Sequence, residues 1–172
     1  MKLNPFKSAA SYVSVTGIML ALAVALTTLE SIFSAFLPAG VRIGLANIAV
    51  LCCAVCINAP TAFLITVLKS LFVLLTRGFT AGVMSLSGGI PAFTVTIILL
   101  SRTSASYVLI SVSGAVLHIF GQLLAACFFT GSVYTFYYTP ILLITAVASG
   151  FLTGAVSGRI IPLLRKNLGK LR

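Results

Sequence analysis

The chain of 172 residues contains one acidic residue, Glu30, against eleven Lys and Arg, and its formal charge is +10. Sixty per cent of its residues are hydrophobic and 7% are charged, whereas a soluble domain of this size has about 25% charged residues. These values exclude metal-diphosphate and paired-carboxylate chemistry, which needs several Asp or Glu, and they predict an all-α integral membrane protein that is not an enzyme.

Apolar segments bounded by Gly, Pro or basic residues predict six transmembrane helices in a single membrane domain, 1–172. Their approximate ranges in chain order are 13–36, 43–57, 61–76, 81–100, 107–129 and 138–164. Crossing the hydrocarbon core takes about 20 residues, so the second and third segments are short and need tilt, local thinning or extra residues from the loops. The first segment follows Lys2 and Lys7, but its apolar core is longer than that of a signal peptide, and we expect it to be retained.

The basic residues set the expected orientation. With the N-terminus in the cytoplasm, that side receives eight of them: Lys2, Lys7, Arg102, Arg159, Arg165, Lys166, Lys170 and Arg172. The outer half then keeps only Arg42, Lys69 and Arg77. The positive-inside rule therefore predicts an N-in, C-in bundle. Because the bases stand mainly at the ends of apolar segments and not along a soluble stripe, nucleic acid is not expected as a partner.

Polar residues inside the apolar segments fall at one depth under this topology. An embedded charge costs several kcal/mol unless it is paired or hydrated, which makes such residues functional candidates. We predict a partly hydrated, net positive pocket that opens outward and binds an anionic or polar small molecule. Its candidate ligand-binding residues are Glu30, Arg42, Asn47, Lys69, Arg77, His118 and Gln122.

Two simpler interpretations of the same residues stay open. Glu30 and Lys69 can form a pair that only locks two helices together, and His118 and Gln122 can serve as interhelical hydrogen-bonding groups. The four cysteines have no accompanying His or acid at metal-ligand spacing, so we interpret them as packing residues and expect no metal site and no cofactor.

Small residues at helical spacing indicate close helix contacts. Gly150, Gly154 and Gly158 repeat every four residues in the sixth segment, and packing within the chain is the simplest interpretation. In the first segment, Ala21 and Ala25 share one face with Gly17. That face is a candidate for docking a partner helix.

Three blocks of sequence resemble one small membrane family. They are Arg42-Ile-Gly-Leu-Ala-Asn47, Ser85-Leu-Ser-Gly-Gly89 and Gly114-Ala-Val-Leu-His-Ile-Phe-Gly-Gln122, within a likeness that runs from about Gly17 to Gly158. The family is known as heptaprenyl diphosphate synthase component I or Gx transporter, and it is similar to the substrate-binding S-components of energy-coupling factor (ECF) transporters. The Ala21-x-x-x-Ala25 pattern resembles the motif by which S-components dock on their coupling subunit.

The resemblance implies an S-component-like bundle in the plasma membrane of a bacterial-type cell. It further implies a ligand pocket near the outer face, and a partner module made of a transmembrane coupling subunit and ATPases. The expected function is uptake of a small metabolite, vitamin- or quinone-related. ATP energy must come from separate subunits, because the chain has no Gly-x-x-x-x-Gly-Lys-Ser/Thr loop.

Two alternatives from other classes remain. The first is an accessory membrane subunit linked to isoprenoid or quinone biosynthesis, in which the polar cluster serves assembly. The absence of Asp excludes the catalytic subunit of such a synthase. The second is a solitary proton-coupled carrier in which Glu30 or His118 titrates.

Overall fold

The computed structural model describes residues 8–34 and 44–168, and these residues form helices and short connections without any strand. Six α-helices follow one another, with a 3₁₀ turn at Val133–Tyr138 before the last. They are α1 (Ala9–Ser34), α2 (Ala46–Cys56), α3 (Ala59–Arg77), α4 (Phe79–Arg102), α5 (Tyr107–Thr130) and α6 (Thr139–Leu168). The described part of the chain is thus an all-α bundle, as the sequence predicts.

Five of these helices are long and apolar enough to cross a membrane, and α2 is not. With 11 residues, α2 is about 16 Å long at the usual rise per residue. The segment expected to begin at about residue 43 therefore has its described helix only from Ala46, and residues 35–43 lie outside the described part of the chain.

The third helix gains length from residues of its flanking loops, which is one of the three ways in which a short segment was expected to reach a full crossing. It has 19 residues and begins directly after Asn58, whose side-chain Oδ1 accepts a hydrogen bond from Thr61 N at 2.9 Å. Pro60 stands in the first turn, where its missing N–H costs nothing. The Asn-Ala-Pro sequence therefore starts the helix instead of separating it from its neighbour.

Other boundaries differ by a few residues for local reasons. Helix α1 starts at Ala9 and not near residue 13, because the Ser8 hydroxyl accepts a hydrogen bond from Ser11 N at 3.1 Å. Helices α3 and α4 are joined by Gly78 alone, whose φ of 89° suits glycine. Helix α6 continues past residue 164 to Leu168 with Pro162 inside it.

Helix α2 lies against α1, α3 and α6, and it is the most buried helix of the bundle. Eight of its 11 residues are buried, including Ala49 and Cys53 with no exposed surface. Cys52 and Cys56 are buried as well, and the Cys56 Sγ faces the Ile161 carbonyl oxygen of α6 at 4.0 Å. The cysteines of α2 are therefore small packing residues of the core.

Glycines set the closest helix contacts. A Cβ on Gly121 of α5 would collide with the Ser87 carbonyl oxygen of α4, so these two backbones touch. A Cβ on Gly150 or Gly154 of α6 would lie 2.6 or 2.5 Å from a Cα atom of α5. The predicted role of these two glycines in packing is confirmed, whereas Gly158 has only the Tyr107 ring, at 4.0 Å, beside it.

Candidate functional site

One cavity of the bundle has polar residues on most of its walls. It contains about 590 Å³ of non-atom space, counting space that is open to the surroundings. All six helices contribute to it, and five of the seven residues predicted as ligand-binding lie on its wall. The lining residues are Thr27, Glu30, Gly44, Ala46, Asn47, Lys69, Arg77, Ser85, Ala115, His118, Ile119, Ala146 and Ser149. Under the orientation predicted from the basic residues this space lies toward the outer side, and we call it the outer chamber.

Glu30, in the last part of α1, forms a hydrogen bond with the backbone just before α2. Its side chain is 8% exposed, and the carboxylate Oε1 accepts a hydrogen bond from Gly44 N at 2.8 Å. Gly44 has a φ of 72°, and its carbonyl oxygen in turn accepts from Asn47 N at 2.9 Å. Glu30, the only acid of the sequence, thus accepts a hydrogen bond from the backbone just before α2. It also lines the outer chamber.

Lys69 brings a positive charge into the same space. The side chain is 4% exposed, and its Nζ donates to Asn47 Oδ1 at 3.5 Å, a long hydrogen bond. A buried ammonium needs polar partners, because moving it out of water unpaired is very costly. The position of Lys69 on α3 therefore makes the chamber a place where polar groups are favoured.

Arg77 lies at the opposite end of α3 from the Asn58 cap and is exposed. Its Nη2 donates to the Thr27 carbonyl oxygen of α1 at 3.2 Å. With Lys69 and Arg77 positive, Glu30 negative and His118 neutral, the formal charge of the lining is positive.

The structure separates the two polar residues predicted from α5. His118 lines the outer chamber, but Gln122 does not belong to the lining. Gln122 is buried with its Cγ packed on Gly88 of α4, and its Nε2 has no hydrogen-bond partner among the described residues. The His118 ring lies against Gly88 as well, and Gln122 stands one turn farther along α5, outside the lining of the chamber. The remaining candidate, Arg42, lies outside the described residues.

Three hydroxyl residues of the lining were not predicted as site residues. Thr27 stands one turn before Glu30, so the helical spacing of α1 was an available signal. Ser85 faces Ser70, with 3.2 Å between their Oγ atoms. Ser149 lies on α6, and no charged or amide residue near it in sequence distinguishes it.

The face of α1 proposed for docking is uncovered by the rest of the described chain. Ala21 and Ala25 are exposed, and a Cβ on Gly17 would meet nothing within 4 Å. Ala23, on the other side of the helix, has no exposed surface. Helix α1 therefore has a buried side and an uncovered side, on which Gly17, Ala21 and Ala25 lie beside the larger Ile18 and Leu22.

Together, the fold and the outer chamber define a small polytopic membrane protein with a polar, net positive cavity inside an apolar bundle. The chain matches the model of the family described as heptaprenyl diphosphate synthase component I over residues 19–160, and it belongs to that family. Comparisons with curated proteins and with solved structures gave no significant match.

Proposed function

We propose that this protein is a substrate-binding membrane subunit, similar to S-components, for uptake of a small anionic or polar metabolite. One observation carries the proposal: Glu30, Asn47, Lys69, Arg77 and His118 come from four different helices and line one cavity. Polar side chains in a membrane bundle are costly, and their convergence on a single space favours a binding role over separate structural roles.

The ligand is expected to place its negative end between Lys69 and Arg77. Within a chamber of low dielectric, attraction between unlike charges is stronger than in water. Asn47 and His118 add hydrogen-bonding groups on two further walls. Glu30 then either contacts a cationic part of the ligand or balances the charge of Lys69.

The energy source in this proposal is a separate coupling subunit with its ATPases. Helix α1 offers Ala21 and Ala25 on an uncovered face, where another helix can approach closely. The outer chamber also receives Thr27 and Glu30 from α1. A partner that moves α1 would therefore change the wall of the cavity.

The decisive experiment is mass spectrometry of small molecules that co-purify with the protein, compared with the Lys69→Met variant. We expect a retained metabolite in the wild type and at least tenfold less of it in Lys69→Met, about 1.4 kcal/mol of binding free energy. Lys166→Met is the matched control, because Lys166 is an exposed residue of the last turn of α6. Equal retention by the two variants would contradict the proposed site.

A second candidate follows from the family description, which names a component of heptaprenyl diphosphate synthase. In that case the protein is an accessory membrane subunit without catalytic residues of its own, and its polar cluster stabilises an assembly. It would co-purify with a soluble prenyl diphosphate synthase subunit and show no saturable binding of a water-soluble metabolite.

Reconstitution separates the energy sources. Uptake that requires the coupling subunit and ATP supports the S-component-like function. Uptake by proteoliposomes that contain this protein alone, abolished by a protonophore, would instead make it a proton-coupled carrier with Glu30 or His118 as the titrating group.

A further inference from the structure

Two serine hydroxyls meet between α3 and α4 at the wall of the outer chamber. Ser70 and Ser85 are each 3% exposed, and their Oγ atoms lie 3.2 Å apart. Ser85 lines the chamber, whereas Ser70 is not part of that lining. The two helices pack tightly here, because a Cβ on Gly89, one turn after Ser85, would lie 3.0 Å from Thr66 Cγ2. The hydroxyl at the chamber wall therefore contacts a second, buried hydroxyl outside the lining.

The direction of the hydrogen bond between the two serines follows from the acceptors that each proton can reach. The Ser70 hydroxyl has the Thr66 carbonyl oxygen as an acceptor at 3.0 Å. For Ser85, Ser70 Oγ is the one side-chain hydrogen-bond partner within the described ranges. Both protons are therefore used only if Ser85 donates to Ser70 and Ser70 donates to Thr66 O. The reverse direction would leave the buried Ser85 proton without an acceptor, which is unfavourable.

Ser85 thus differs from the other polar groups of the lining in what it offers a ligand. Lys69 and Arg77 have only N–H donors, and Asn47 Oδ1 already accepts from Lys69 Nζ, which leaves the N–H donors of that amide. Glu30 is an acceptor, and its Oε1 accepts from Gly44 N. The Ser85 oxygen, with its proton directed to Ser70, can accept a further hydrogen bond. A ligand that meets Ser85 without disturbing this arrangement must supply a donor.

From this arrangement we infer that the ligand of the outer chamber is an anion with a hydroxyl or N–H group of its own, which donates to Ser85 Oγ. Ser85 is then a specificity-determining residue, and Ser70 is a positioning residue that keeps the Ser85 proton away from the ligand. This inference rests on the proposed function and specifies the class of substrate. Protonated phosphates and hydroxy acids belong to that class, and sulfate does not.

An anion without a donor can enter the chamber, but it binds less well. The Ser85 hydroxyl either keeps its lone pairs toward the negative charge, or turns its proton to the anion and leaves Ser70 Oγ without a donor. In both cases the complex has about one hydrogen bond fewer. A difference of this size corresponds to about fivefold in affinity.

Inorganic phosphate and sulfate are the matched probes. They are alike in size and shape, but near neutral pH phosphate carries at least one P–OH group and sulfate carries none. Equilibrium dialysis of the purified protein in detergent against each radiolabelled ion, at fixed ionic strength, measures both dissociation constants. Binding at the site is the part that Lys69→Met removes and that Lys166→Met, an exposed position of α6, retains. We expect wild type to bind phosphate about fivefold more tightly than sulfate.

Two serine variants test the assigned direction of the hydrogen bond. Ser70→Ala should reduce the selectivity to less than about twofold, mainly through tighter sulfate binding, because the Ser85 proton loses its acceptor and becomes available to the anion. Ser85→Ala should weaken phosphate binding about fivefold and leave sulfate within about twofold, because the acceptor is gone. Damage to the fold alone would weaken both ions alike and leave their ratio unchanged.

Thr76→Ala is the matched control on α3. Thr76 is exposed, and its hydroxyl donates to the Phe72 carbonyl oxygen at 2.8 Å, the same kind of bond that Ser70 makes within the helix. Its phosphate-to-sulfate ratio should equal that of wild type.

The outcomes distinguish this inference from the proposed function. Sulfate affinity equal to or higher than phosphate affinity in the wild type, or a ratio that both serine variants leave unchanged, overturns the donor on the ligand and leaves the outer anion site standing. No binding of either ion that depends on Lys69 overturns the anion site itself, and with it both proposals.

Discussion

Glu30 is the residue in which sequence and structure meet most directly. As the one acid of an apolar chain, it stands out from composition alone. Its carboxylate accepts a hydrogen bond from Gly44 N and lines the outer chamber, so it has a structural contact and a position suited to a ligand. These two roles respond differently to substitution, because the amide of Gln still offers an oxygen acceptor while Ala offers none.

Two substitutions of Glu30 should therefore separate the contribution of its acceptor oxygen to stability from the contribution of its negative charge. Glu30→Ala leaves Gly44 N without its acceptor and should lower the free energy of unfolding by about 1–3 kcal/mol. Glu30→Gln should lower the free energy of unfolding less than Glu30→Ala does, although the amount of ligand that it retains should differ from that of wild type. The measurement is the melting midpoint of ligand-free protein in detergent.

Thr28→Ala serves as the control for Glu30, since Thr28 is exposed on the same helix and bonds to Val24 O of its own turn. Equal destabilisation by Gln and Ala would mean that the negative charge, and not the acceptor oxygen, stabilises the start of α2.

At the scale of elements, the contacts between helices depend on glycines, which have no side chain, as much as on apolar side chains. The backbones of α4 and α5 meet at Gly88 and Gly121, and α5 meets α6 at Gly150 and Gly154. In a lipid environment, close packing of backbones replaces much of the hydrophobic drive that assembles soluble helices. The outer chamber, which residues of α4, α5 and α6 line, therefore depends on these glycine contacts.

Gly121→Ala should destabilise the bundle by about 1–3 kcal/mol, because the added methyl overlaps the Ser87 carbonyl oxygen of α4. Gly158→Ala is the matched control in α6, where the nearest atom would be a ring carbon of Tyr107 at 4.0 Å. That control should be neutral or more stable by up to about 1 kcal/mol, since Ala favours helix over Gly. Thermal unfolding of both variants checks the difference, and similar melting midpoints would refute the close contact.

The uncovered face of α1 leads to a second prediction at this scale. Ala25→Leu enlarges a side chain that is exposed in the described part of the chain, so ligand retention should stay within about twofold of wild type. Co-purification with a coupling subunit should fall at least tenfold, about 1.4 kcal/mol, because close approach of the partner helix is blocked.

Ala148→Leu provides the comparison for Ala25→Leu on an exposed face of α6. If Ala25→Leu and Ala148→Leu lower co-purification to the same extent, the docking face lies elsewhere on the bundle.

For the whole molecule, the orientation in the membrane stays a prediction from the distribution of basic residues. Alkaline phosphatase fused after Gly131, between α5 and α6, should be active because that loop is expected outside. The same enzyme fused after Thr103, between α4 and α5, should be inactive, and green fluorescent protein at the C-terminus should fluoresce. The reverse pattern of activities would invert the bundle and place the outer chamber on the cytoplasmic side.

The sequence alone was sufficient for the class of fold and for selecting five of the residues that line the outer chamber. The lengths of the apolar segments, their hydropathy and the Gly, Pro and basic residues between them predict an all-α membrane bundle, since each crossing segment must satisfy its own backbone hydrogen bonds. The same cost of burying polar groups makes Glu30, Asn47, Lys69 and His118 conspicuous among apolar neighbours. The local sequence pattern predicted the ends of helices less reliably. For example, Asn58 caps α3, which had been expected to start only at about residue 61.

Only the tertiary structure decided which side chains share a space. His118 and Gln122 both lie against Gly88 of α4, but of the two only His118 also lines the outer chamber. Packing also brings Ser85 of α4 and Ser149 of α6 to the lining of the outer chamber. Composition determined that these residues are costly in a membrane, but the relative rotation of the helices determined the cavity that they form.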